Sequence, residues 1–143
     1  MTEDFKAAYE SGKAAKEAAA ANKATADAQR KQERDLGMAT AEKWIRENVR
    51  PVFEEVQRQM EGTISVALPG SPSETPVGWN DKITLGNRPQ QRKLSVNALA
   101  EGYVKIYIDD GEGLEFGNFH EPKAAEIRDL LKSMVKGIAE TGG

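Results

Sequence analysis

Between residues 38 and 60 the apolar positions are Ile45, Val49, Val52, Phe53, Val56 and Met60. Their spacing of three, four and seven draws one stripe along a helix. Pro51 falls inside the stripe and removes one backbone hydrogen bond, yet the stripe keeps its phase across it. The pattern therefore predicts a kinked helix, with Trp44 at the edge of the core. From Thr63 the period shortens to two. Ile64, Val66 and Leu68 alternate first, then Ile83 and Leu85, then Leu94, Val96 and Ala98. Val104, Ile106 and Ile108 follow, and Leu114 and Phe116 close the series. Such alternation predicts antiparallel strands with one covered face and one wet face. DDGEG at 109–113 reads as a hairpin turn, and PGSPSETPVGWN at 69–80 as a long loop. The helical period returns over 122–140 in Ile127, Leu130, Leu131, Met134 and Ile138, with Pro122 at a first-turn position.

The first 36 residues are different. After Met1 their large apolar side chains are Phe5, Tyr9 and Leu36, in a background of alanine and charge. Alanine is the best helix former, with Lys, Glu, Gln and Arg close behind. Lys13–Glu17 and Asp27–Lys31 are opposite charges one turn apart. A helix is expected over most of 3–35, with Gly12 a weak point and Gly37 the stop. Ala7, Ala14, Ala21 and Ala28 recur every seven residues, with Ala18 and Thr25 between them. A seam of small residues lets another helix approach closely, although each contact buries little area. Ala14, Ala18, Ala21 and Ala28 are the partner-binding candidates. The competing account is a solvated tail.

Together these elements predict an α+β chain. An Ala-rich helical arm spans 1–36, and a core domain spans 38–141. The core holds the kinked amphipathic helix, a four- or five-stranded antiparallel sheet, and a C-terminal amphipathic helix on the same sheet face.

Composition narrows the function. The chain of 143 residues has no cysteine, which excludes a disulfide framework, a thiol nucleophile and a thiolate metal site. Charges balance over residues 1–60, and the net −3 arises beyond them, with no block of like charge. A duplex-DNA binder usually displays a basic stripe, so that class loses ground. The acidic start without an apolar run does not read as a secretory signal, and no run of apolar residues is long enough to cross a membrane. A cytoplasmic location and no membrane partner are the expectations.

Candidate chemistry is sparse. His120 is the only histidine and sits where a strand hands over to the last helix, suiting a loop or capping role. GEGLEFG lacks the Lys-Ser/Thr pair of a phosphate loop. Asp109, Asp110, Glu112 and Glu115 do not follow the calcium-loop pattern. Ser71 and Ser73 have no base nearby in sequence. No catalytic, cofactor or metal residues are expected, and the chain reads as a non-enzyme.

One sheet face offers an alternative. If Val104, Ile106 and Ile108 face the helices, Tyr103, Lys105 and Tyr107 face outward beside Lys93, Ser95 and Asn97. Arg88 and Arg92 come from the preceding loop. Outward aromatics among cations are one way to hold single-stranded nucleic acid. Tyrosine and lysine are also ordinary on a wet sheet face. The leading expectation is a protein-interaction module (a small regulator, adaptor, inhibitor or chaperone) that captures a partner or forms a homodimer through its N-terminal helices. Binding of single-stranded nucleic acid or nucleotide by the sheet face is the alternative.

Overall fold

The computed structural model describes residues 2–87 and 89–141, with side chains from residue 4 onward. By contacts the chain divides into two units, residues 1–35 and 36–143. Helix α1 runs from Thr2 to Asn48.

The first unit is the N-terminal part of α1. Among residues 4–35 every side chain except Ala26 is exposed. Thr25 Oγ1 donates back to Ala21 O at 3.0 Å, spending its hydroxyl on its own helix. Asp27 meets Arg30 one turn on, at 3.9 Å, rather than Lys31.

The second unit contains the end of α1, helix α2 (Arg50–Gln59), six strands and helix α3 (Ala124–Glu140). The strands are β1 (Val66–Ala67), β2 (Ser73–Thr75), β3 (Gly78–Leu85), β4 (Arg92–Leu99), β5 (Tyr103–Ile108) and β6 (Leu114–Asn118). They form one antiparallel sheet in the order β1-β3-β4-β5-β6, with β2 also paired to β3. Ile45, Val49, Phe53, Ile83, Val96, Ile106 and Leu131 are buried in one cluster between the helices and the sheet. The fold is α+β, as the alternation and the two stripes require.

Several boundaries differ from expectation. Gly37 does not stop a helix; α1 passes through it. A Cβ there would run into the carbonyl of Ala100 in the β4–β5 turn, so glycine is what allows the helix to lie that close. The break comes at Val49 instead, one residue before α2 and two before Pro51. Val49 N–H still donates to Ile45 O (2.9 Å) and Phe53 N–H to Val49 O (3.1 Å). The chain thus kinks while the apolar stripe continues.

The region 69–80 is not wholly loop. Thr75 pairs with Gly78 around a two-residue turn at Pro76 and Val77, and β3 begins at Gly78. Pro72 and Pro76 bracket β2 rather than interrupt it, and β2 lies on the sheet edge, where short strands are tolerated. The first expected strand, 63–68, shrinks to the two residues of β1. Helix α3 starts at Ala124, leaving Pro122 outside it. Lys123 N–H instead donates to Asn48 Oδ1 at 3.1 Å, and Trp44 Nε1 to Glu121 O at 3.2 Å, pinning the end of α1 to the segment before α3. Trp44 is buried, not peripheral.

The β5–β6 turn behaves as read. Asp109 and Asp110 both have positive φ (52° and 61°), and Gly111 N–H closes the turn on Ile108 O at 3.0 Å. Positive φ at both central residues is the hairpin geometry that matches strand twist.

Candidate functional site

Three surfaces bear on function. The first is the arm. Ala14, Ala18, Ala21 and Ala28 are all exposed, and the arm also displays Phe5 (78%) and Tyr9 (69%) to solvent.

The second is the sheet face turned away from the helices. Registry places Lys82 opposite Ser95 and Ser95 opposite Tyr107; Asn80 lies opposite Asn97, and Asn97 opposite Lys105. Tyr103, Lys105, Tyr107 and Lys93 therefore share this face. Their groups already have neighbours. Asn80 Nδ2 donates to Ser95 Oγ (2.7 Å) and Asn97 Oδ1 (2.6 Å), cross-linking the middle of the face. Lys105 lies over the Tyr103 ring at 5.8 Å, and Lys93 pairs with Asp110 at 3.6 Å. A Cβ on Gly113 would come within 2.8 Å of the Tyr107 ring, so the β5–β6 loop backbone lies against that ring. A base stacked on Tyr107 would have to share the ring with the loop.

Arg92 stands apart from these residues. It faces Leu85 across β3–β4, and Leu85 is buried on the helix side. Its Nε donates to Asp109 Oδ2 at 2.6 Å. Asp109 Oδ1 accepts from Lys93 N–H at 2.9 Å. Both oxygens of Asp109 thus lock the turn. Arg88 lies outside the described residues. His120 is exposed, and its backbone N–H donates to Asn118 Oδ1 at 2.9 Å, a local loop bond. Among the described residues no group of three or more acidic or histidine side chains is arranged to hold a metal ion, and no helix is long and apolar enough to cross a membrane.

The third surface is a groove between α2 and α3. Its volume is about 600 Å³, and Val56, Met60, Leu131 and Val135 make its apolar lining. Arg128 on α3 bridges to Glu55 on α2 at 2.7 Å across one end. The two apolar stripes signalled Val56, Met60 and Leu131 as core; Val135 lies outside them. Only the packing shows that Val56, Met60 and Val135 stay half-open between the helices.

One charged pair inside the core was not anticipated. Asp81, on the helix side of β3, is fully buried and accepts from Arg50 Nη1 at 3.1 Å and from Lys82 N–H at 3.0 Å. Arg50 Nη2 also donates to Pro69 O, and Arg50 Nε to Glu54 at 3.3 Å. One guanidinium thereby ties the start of α2 to β3 and to the loop before β2. Asp81 Oδ2 is buried with no hydrogen-bond partner. Burial, opposed by Arg50, raises the Asp81 pKa above its ordinary value. The sequence signal was available: Asp81, Ile83 and Leu85 alternate, so Asp81 falls on the covered face.

No family model matches the chain, and no curated protein or solved structure matches it either.

Proposed function

We propose that this chain is a non-enzymatic protein-interaction module that self-associates or captures a protein partner through its N-terminal helix, the homodimer being the simplest assembly. A small regulator, adaptor, inhibitor or chaperone would need no more. The arm carries this reading. Helices in proteins owe most of their stability to packing of one face, and the side chains of residues 4–35 other than Ala26 are exposed. A face of small side chains at seven-residue spacing supplies a seam for a second helix.

The test is co-purification of differently tagged copies. Tagged chain should retain untagged chain, and Ala14→Glu, Ala21→Glu and Ala28→Glu together should abolish retention while circular dichroism stays helical. Unchanged retention by the triple variant would remove the seam from the account.

A further inference from the structure

Charges of both signs are interspersed along the arm's sequence, so no block of like charge stands out. The helix sorts them. At roughly 100° per residue, every Lys and Arg between residues 4 and 35 falls within about one third of the helix circumference. Lys16, Lys23 and Arg30 recur every seven residues along one edge of this arc, and Lys6, Lys13 and Lys31 lie along the other. The acidic side chains do not follow. Asp27 lies inside the arc, where it meets Arg30 at 3.9 Å; Glu17 and Asp35 stand at its rim, and Asp4, Glu10 and Glu33 lie farther round. Phe5 (78% exposed) and Tyr9 (69%) fall inside the arc at its N-terminal end. Ala14, Ala18 and Ala21 lie on the far side, so a helix paired through them would leave the cations and both rings open to solvent.

We propose that this arc lies flat on a membrane surface rich in anionic lipid, with the cations over the headgroups and the Phe5 and Tyr9 rings at the headgroup–acyl boundary. The alanine seam plays no part in it. The sign of the charge selects a polyanion, and shape selects which one. From Lys6 to Arg34 the cations extend over about 42 Å, and they face the same way. A flat anionic surface meets the whole row at once. A duplex groove instead sets phosphates on both flanks of a helix lying in it. Here one flank is alanine (Ala8, Ala15 and Ala19), and the other carries Glu10 and Glu17, which phosphates would repel. Aromatic rings among cations suit a surface that is charged outside and apolar beneath. An arm on the surface needs no crossing segment, and among the described residues no helix is long and apolar enough to be one. With two rings as its large apolar groups, the arc binds mainly by charge, at about fivefold per cation. This departs from the expectation of no membrane partner, which was set without the helical phase of the charges.

The test is sedimentation of the full chain with vesicles of phosphatidylcholine alone, or of equal parts phosphatidylcholine and phosphatidylserine. The chain should pellet with the anionic vesicles and stay in solution with the neutral ones, and added salt should release it. Lys16→Gln, Lys23→Gln and Arg30→Gln together should weaken binding by about 100-fold, whereas Asp27→Asn should strengthen it by about fivefold. Binding to neither vesicle, equal binding to both, or a triple variant that binds like the native chain would overturn the proposal. Duplex DNA bound as tightly as the anionic vesicles at the same salt, and lost in the triple variant, would assign the arc to nucleic acid and overturn it as well. Co-purification of tagged chains reads self-association separately, so either reading can fail without the other. A second measurement avoids altering the cations. The chain has no cysteine, so Ala20→Cys inside the arc and Ala18→Cys opposite it can each carry a polarity-sensitive dye. Anionic vesicles should shift the emission of the dye at 20 to shorter wavelength and leave the dye at 18 unchanged. Equal shifts, or none, would contradict adsorption through this face.

Discussion

Arg50 holds the carboxylate of Asp81 at 3.1 Å while the other carboxylate oxygen, Oδ2, is buried without a partner. A buried ion pair contributes little net stability, because desolvation offsets the attraction, but removing one member strands the other charge. Arg50→Met should therefore cost about 3–5 kcal/mol in chemical denaturation. Adding Asp81→Leu should restore most of that. If Arg50→Met is neutral, the pair is not what fixes α2 to β3.

The same pair predicts a pH dependence. The folded chain holds the Asp81 pKa above 3.8, chiefly through burial, so it binds the proton at higher pH than the unfolded chain does. The ionised group thus subtracts from stability in full above the folded pKa, and the penalty is relieved as pH falls through it towards 3.8. Relative to Asp81→Asn, the native chain should gain stability on acidification across that window. A flat difference would show that Arg50 balances desolvation, and one that widens against the native chain would show that Arg50 outweighs it.

Two glycines in one helix should respond oppositely to alanine. Gly12→Ala meets nothing within 4 Å and should stabilise the arm helix by up to about 1 kcal/mol. Gly37→Ala drives a methyl into Ala100 O and should destabilise the core unit despite the better helix propensity. Thermal melts of the two variants separate the effects; similar gains for both would place α1 farther from the β4–β5 turn.

The outward sheet face should not bind single strands. Lys105 and Lys93 are engaged with Tyr103 and Asp110, and the Tyr107 ring has a loop against it. A labelled oligonucleotide titrated at low salt should show no change in anisotropy. A salt-sensitive rise that is lost in Tyr107→Ala and Lys105→Ala would instead establish the face as a nucleic-acid site.

Alternation was the most legible signal in the sequence. Ile83, Leu94, Val96 and Val104 are buried as their period of two requires, and the stripes of α2 and α3 face them. What escaped depended on distant partners. Gly37 carries the local signature of a helix stop, and only the approach of Ala100 explains why the helix continues through it. Strand β2 hides among prolines because three residues on an edge leave no period to read. Arg92 looked like a loop cation, but its position opposite Leu85 puts it on the helix side of the sheet. The α2–α3 groove needs the spacing of two helices, which no single stripe encodes.

The most direct measurement of the central claim is the mass of the unmodified chain by light scattering across a wide concentration series. Alanine contacts bury little area, so the assembly is expected to be concentration-dependent. The mass should rise from the monomer value of 15.6 kDa towards twice that value, and the rise should disappear in the Ala14→Glu, Ala21→Glu, Ala28→Glu chain. A mass of 15.6 kDa at every concentration would contradict self-association through the arm.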